Sequence, residues 1–299
     1  YKTFVIRIVP EEATRIAMLK SGEADAVEMS LSYLNEVNKA GLAIKTVPQT
    51  LNYYLSFGGL YLPTQKTFDP SLPWTGDPND KASLERALKV RRALSMAIDR
   101  DTLVKSIAMG KGSPSAVIAA WKSMGSYDPN WKPTPFDPAG AKNLLKEAGY
   151  PNGFEITMLS MSQPSMPSNT KIAEAVGMMW EQNLGMKVKF VATDWAATRP
   201  KAQNRTLSGV ILPYARIVYD NPGSALLLTA YSKAGTMIAW EDAYTDKMLD
   251  EFNSTGDQAK ADEIQRKILQ YSIDNQLAIP TIYTDSVIGI NTKKIGDWP

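Results

Sequence analysis

The chain contains neither histidine nor cysteine in 299 residues. Without imidazole or thiol it builds no Ser-His-Asp triad and no thiolate nucleophile, and it lacks the nitrogen and sulfur ligands that zinc prefers. Carboxylate pairs and Ser-Lys arrangements stay open as catalytic chemistry. No short motif for either stands out, however, and no GxxxxGK[ST] phosphate loop is present. A binding role is therefore the default expectation. Long apolar runs are also missing, since no stretch approaches the ~18 residues that a bilayer span requires. Charge of one sign is missing as well: 33 Lys and Arg offset 31 Asp and Glu, leaving a formal +2. Basic spots such as KVRR (89–92) and Lys293-Lys294 form no long stripe for nucleic acid. The absence of cysteine fits an export route on which stray thiols would mispair.

What is present is ordinary globular material. An apolar content of 44% supports a buried core, and the length suggests roughly two domains. FVIRIV (4–9) has the β-branched content of a strand, and Pro10 suits the helix start that follows. Ala13, Ile16, Ala17 and Leu19 make an apolar stripe that Gly22 ends. A strand over Ala26–Met29 and a helix over Ser30–Ala40, with Ser30 as N-cap and Gly41 as stop, complete an alternation typical of α/β layers. Two strands, Leu42–Val47 and Tyr53–Phe57, precede an irregular stretch over 58–81.

Asp80 or Ser83 caps a helix to about Ile98, where Val90, Leu94 and Ala97 share a face with Leu84, Leu88 and Arg91 nearby. A partner helix runs over Arg100–Met109. Asp137 with Pro138 starts the next, which reaches Ala148. Strands follow at Phe154–Leu159, Val188–Ala192 and Val210–Leu212. Helices follow near Asn169–Asn183, Ser224–Thr229, Thr245–Asn253 and Asp257–Asp274. Leu277–Tyr283 reads as a strand whose Pro280 places it at a sheet edge or a lobe boundary.

Three segments, ATRIAMLKSGEADAVEMS (13–30), LKVRRALSMAIDRDTLVKSIAMGKGSP (88–114) and FDPAGAKNLLKEAGYPNGFEITML (136–159), give the chain a likeness that runs over nearly its whole length. Together they resemble the family-5 extracellular solute-binding proteins, receptors that deliver peptides, nickel and other small solutes to ABC importers. The resemblance implies an α/β fold of the type-II periplasmic-binding-protein kind, two lobes of mixed sheet with flanking helices, N-terminally incomplete. It implies that residues 1–60 belong to the first lobe, 61–281 to the second, and 282–299 return to the first. It further implies a monomeric receptor, periplasmic or extracellular, lipid-anchored through a preceding segment, that passes a small solute to membrane permease subunits. No cofactor, metal or nucleic acid enters this expectation. The alternative is an enzyme on the same scaffold with Glu28 or Asp99 as acid or base, although Asp99 in AIDR also reads as a helix cap paired with Arg91 or Arg100.

The same resemblance points to a site. Peptide-binding relatives carry W-x-A-D-Y-x-x-P in the cleft, and its aspartate meets the ligand's amino group. Here Ala215 to Pro222 occupy that segment, with Tyr219 and Pro222 kept, Ala215 at the tryptophan and Val218 at the aspartate. A peptide ammonium thereby loses its anchor. Arg216 offers a fork for a ligand carboxylate, phosphate or sulfonate, or else a salt bridge to Asp220 or Asp194. Asp220 with Asn221 stands as a shifted carboxylate or as turn chemistry.

Leu212 and Tyr214 lead into the segment and join it as ligand contacts. Of seven tryptophans, Trp121 and Trp195 in loops suit a ligand face, Trp180 reads as core, and Trp240 and Trp298 as structural. Gly58-Gly59 leaves backbone groups open to a ligand. The methionines, including Met158, Met161, Met166, Met178 and Met179, fill core gaps.

Overall fold

The computed structural model of the chain describes residues 3–163, 166–217 and 222–296. In chain order the elements are α1 (Glu12–Ser21), β1 (Ala26–Met29), a single 3-10 turn (Leu31–Tyr33), α2 (Leu34–Lys39) and β2 (Ala43–Phe57). Then come α3 (Lys81–Met96), α4 (Arg100–Ser106), β3 (Gly112–Pro114), α5 (Pro138–Glu147), β4 (Glu155–Ser162) and α6 (Asn169–Leu184). The rest is β5 (Lys187–Asp194), α7 (Trp195–Gln203), β6 (Val210–Ile217), α8 (Pro222–Ala230), α9 (Ala243–Ser254), α10 (Gln258–Asp274) and β7 (Ala278–Ile290).

Helix starts follow from local chemistry. Asp80, Asp99, Asp137, Asp194, Asp242 and Asp257 each accept a backbone N–H two or three residues on, from Ala82, Thr102, Gly140, Ala197, Thr245 and Lys260. Each such cap is worth about 1 kcal/mol. Ser30 makes no side-chain cap; its amide donates to the Glu12 carboxylate instead. Gly22 and Gly185 end α1 and α6 in the left-handed region, at φ 78 and φ 69.

One seven-stranded mixed sheet in the order β1-β7-β2-β6-β4-β5, with β3 beside β7, organises the described residues. The β2 pairings to β6 and β7 are antiparallel, whereas β4 runs parallel to both β5 and β6. The expected pair of strands at 42–47 and 53–57 is a single strand with a register shift between Val47 and Leu51. Gln49 takes φ 51 there, and its amide donates to Asp285 Oδ1 at 2.9 Å while its side chain donates to Ser113 Oγ at 3.0 Å. Thr46, Val47 and Pro48 before the bend are exposed, and every residue from Thr50 to Phe57 is buried.

Packing closes the core around Trp180, fully buried with its Nε1 donating to Leu94 O at 2.8 Å, and around Val90, Leu94 and Ala97, all at 0% exposure. Side chains the size of Val90 and Leu94 contribute about 1.5–3 kcal/mol each when fully buried.

Several expectations are corrected. The segment 4–9 forms no strand, and Phe4, Val5, Ile6 and Ile8 are exposed. A β-branched run becomes a strand only where a neighbour takes its backbone hydrogen bonds, and no described strand does so. Instead Arg15 Nη1 donates to Val9 O and Pro10 O at 2.8 and 2.9 Å. Pro280 keeps to expectation at a local edge, since it pairs only with β2 while β3 and β1 join β7 from Ile282 onward. The register between Asn52 and Tyr54 slips there, with Asn52 opposite Tyr283 and Tyr54 opposite Pro280, and a bulge also suits a residue without N–H. The α1 stripe narrows to Ile16 and Leu19, with Ala13 and Ala17 exposed. Leu84 and Met178 also face solvent, each on the outer side of its helix. Helix α7, with Pro200 inside it, was not anticipated, because the proline masks the pattern.

Burial raises six phenols: Tyr53 and Tyr61 are pushed up to about 12, Tyr214 and Tyr283 higher, and Tyr127 and Tyr271 are raised as well. It lowers Arg91 and Arg100 to about 10. A phenol that ionises near 10 when unfolded and near 12 when folded contributes stability below pH 10 that is lost as pH rises to 12. The two arginines act oppositely across pH 10–12.5, but the six phenols outweigh them. The urea midpoint is expected to hold to about pH 9 and fall above pH 10, with Tyr53→Phe falling less. A midpoint that climbs above pH 10 contradicts this balance.

Candidate functional site

Three strands lay out a face in rows. Asn52 on β2 sits opposite Arg216 on β6 and Tyr283 on β7, Tyr54 opposite Tyr214, and Ser56 opposite Leu212. Successive strand residues alternate between faces, so these side chains share one side of the sheet. Segment 115–121 lies over it. Asn52 Nδ2 donates to Ser115 Oγ at 2.8 Å, Ala119 N donates to Asn52 Oδ1 at 3.3 Å, and Tyr283 Oη donates to Ala120 O at 2.7 Å. The Trp121 ring packs 6.4 Å from that of Tyr283. On the other flank Trp195, the first residue of α7, meets Tyr214 edge-on at 5.8 Å, and Tyr54 stacks on Tyr214 at 6.0 Å. Trp121, Trp195, Leu212, Tyr214 and Arg216 are thus brought together on or over one face, while Val218, Tyr219, Asp220, Asn221 and Trp298 lie outside the described residues.

The polar groups of this face are unevenly served. Asn52 is satisfied by Ser115 and Ala119. Arg216 is 3% exposed, yet among the described residues its Nε and Nη2 have no hydrogen-bond partner; neither have Tyr214 Oη and Trp121 Nε1. Asp194 does not meet Arg216, because it caps α7 through Ala197 N at 2.8 Å. Burial raises the Tyr214 phenol, Tyr54 and Tyr61 add to this, and the Arg216 charge opposes it. Tyr214 therefore keeps its proton at neutral pH and is a donor.

Gly58 does not leave its backbone free, and the Gly59 carbonyl accepts from Tyr61 N at 2.7 Å. Gly58 N donates to Val210 O at 2.7 Å, and Gly58 O accepts from Gly209 N and Trp74 Nε1, both at 3.1 Å. A Cβ at Gly58 would sit 1.8 Å from Leu207 O, so glycine here serves close chain approach. The sequence reading also missed Glu241. Its side chain is fully buried, Arg205 Nε donates to its Oε1 at 2.9 Å, and Leu62 N donates to its Oε2 at 3.2 Å. The acid in AWED after Trp240 was the available signal. Asp99 caps α4 without pairing to either arginine. Partial burial raises its carboxyl, but the Thr102 amide and hydroxyl, the Asp101 amide and Lys105 together hold it below the usual range. Trp240 packs as a structural residue, donating to Thr245 Oγ1 at 3.1 Å.

A separate cavity of about 390 Å³ opens between Ser30–Tyr33 and Glu36 on one side and Ile107, Ser168 and Lys171 on the other. No candidate residue lines it. Among the described residues no cluster of carboxylates could hold a metal ion, and no helix is long and apolar enough to cross a membrane.

Known proteins resemble this chain in sequence and fold. Heme-binding protein A of Haemophilus influenzae is 31% identical over 214 residues, covering 71% of this chain and 35% of that protein. The glutathione-binding protein GsiB of Shigella flexneri is 32% identical over 216 residues, covering 70% and 37%. The chain thus spans little more than a third of the length of these two relatives. In fold, the periplasmic binding protein DppA of Helicobacter pylori, solved with the peptide STSA, superposes with TM-score 0.74 at 21% identity over 96% of this chain and 52% of its own. The ABC transporter substrate-binding protein CtaP of Listeria monocytogenes superposes with TM-score 0.75 at 20% identity, over 96% and 54%. These likenesses establish a periplasmic-binding-protein fold of mixed sheet and flanking helices. The sequence model for the middle region of the bacterial extracellular solute-binding proteins, family 5, matches residues 1–236, and the chain belongs to that family.

Proposed function

We propose that this chain is the solute-capturing part of an ABC-importer receptor, working outside the cytoplasmic membrane, which holds a small solute and hands it to membrane permease subunits. The observation that carries this reading is the β7-β2-β6 face, where tryptophan and tyrosine rings surround buried donors that no described residue satisfies. Flat aromatic surface with a few unmet polar groups is what a small-molecule site offers. Relatives named for binding heme, glutathione and di- or tripeptides support the same class of role.

Two lobes are part of the proposal, one of residues 1–60 with 282–299 and one of 61–281. The chain would cross between them near residues 60 and 281, and the 390 Å³ cavity has walls from both lobes. The receptor acts as a monomer, does not turn its solute over, and is held at the membrane by a lipid anchor in the whole protein.

Binding to the native state alone at ~100 times the dissociation constant adds about 2.7 kcal/mol. Screening this chain by thermal shift against peptides, organic acids and sugars is expected to find such a solute, recovered unchanged by mass spectrometry. Consumption of the solute would favour the enzyme reading, and no stabilisation across the library would remove the receptor reading.

A further inference from the structure

We infer that the β7-β2-β6 face selects a solute bearing an oxyanion, a carboxylate or phosphate, and grips it through the side-on edge of Arg216; this rests on the receptor reading above. The unmet donors of Arg216 are Nε and Nη2. These two N–H groups lie on the same edge of the guanidinium, the edge that engages both oxygens of a carboxylate or two oxygens of a phosphate with parallel bonds. A guanidinium at 3% exposure whose Nε and Nη2 meet no acceptor or counter-charge among the described residues is costly, so an acceptor arriving there gains more than it would at a solvated arginine.

The neighbours reinforce the sign. Tyr214 Oη and Trp121 Nε1, on and over the same face, are likewise unmet, and an indole N–H can only donate. Asn52, which could have offered an acceptor in the same row, spends its oxygen on Ala119 N. Glu241 is committed to Arg205 and Leu62, and Asp194 to its cap. What the described residues of the face lack is therefore negative charge. A solute that presents an ammonium there would meet a fixed positive charge and no carboxylate among the described residues.

The test uses this chain with three probes: an N-acetylated dipeptide with a free carboxylate, the same dipeptide as its amide, and inorganic phosphate. The acid or phosphate is expected to bind at least tenfold more tightly than the amide. Arg216→Gln erases that difference, and Arg216→Lys, which keeps the charge without the fork, restores only part of it. In the wild-type chain the Arg216 Nε–H resonance should move on adding the binding anion and stay still with the amide, a readout that does not depend on the variants folding. The inference is overturned if acid and amide bind equally and phosphate does not bind. It is also overturned if the resonance is unmoved by the anion because a carboxylate of the chain, such as Asp220, already occupies the fork. Binding of a neutral sugar with no response to any anion would sink this inference while leaving the receptor reading intact.

Discussion

Replacing Arg100 with alanine is expected to destabilise the chain by on the order of 4 kcal/mol, whereas replacing its neighbour Asp99 with alanine costs only about 1 kcal/mol. The difference follows from what each side chain touches. Arg100 is 4% exposed and donates to four carbonyls, those of Pro280, Ser95, Ile98 and Thr134, at 2.9 to 3.3 Å, and to Ser95 Oγ at 3.0 Å. Removing it leaves several buried acceptors unmet, each at ~1–3 kcal/mol, and opens the corner between α3 and α4 where it is tied to β7. Asp99 only caps α4, through Thr102 N at 2.9 Å. Urea denaturation of the two variants decides the matter. Equal losses would mean that the residues act as an ion pair, the arrangement weighed from the AIDR sequence.

Glu241→Ala is expected to cost about 3–5 kcal/mol, the effect of removing one member of a buried pair. The Glu241 side chain is 0% exposed and that of Arg205 18%, so the charge left behind is largely shielded from water. Arg205 also donates to Gln203 O and Ser232 O at 2.8 and 3.0 Å, which keeps it in place with no carboxylate to balance it. The effect reaches the site, because Glu241 holds the Leu62 amide, and Tyr61 beside it is pushed up to about 12 by burial and then by the Glu241 charge. Solute-dependent stabilisation should therefore weaken along with folding. Exchanging both partners for apolar residues, Glu241→Leu with Arg205→Met, should recover most of the stability. A double variant as unstable as the single one would show that the hydrogen bonds to Leu62 and the carbonyls, rather than the uncompensated charge, dominate.

The sequence by itself determined most of what has its cause within a few residues, although it also suggested a Ser30 cap that does not form and hid the Asp194 cap of α7 behind Pro200. Asp80, Asp137 and Asp257 announce their helices because a cap bond spans only two or three residues, and Gly22 and Gly185 end theirs because the left-handed turn is a property of one residue. The three family segments needed no structure either. The tertiary structure alone decided matters of pairing. A β-branched run such as FVIRIV is a strand only if a neighbour answers its backbone, and the segments 42–47 and 53–57 fuse because β7 runs alongside both. Pro280 sits at a bulge set by its partner β2, and Gly58 is spent on Val210 and Gly209 rather than left for a ligand. The state of Arg216 belongs to this second class. Its charge is written in the chain, but whether its fork is answered depends on which side chains β2, β6 and the segment 115–121 bring to the same face, contacts made across more than 60 residues of sequence. Such long-range contacts carry no local signature, because the hydrogen-bonding needs of a side chain are fixed by its chemistry while their satisfaction is fixed by its neighbours.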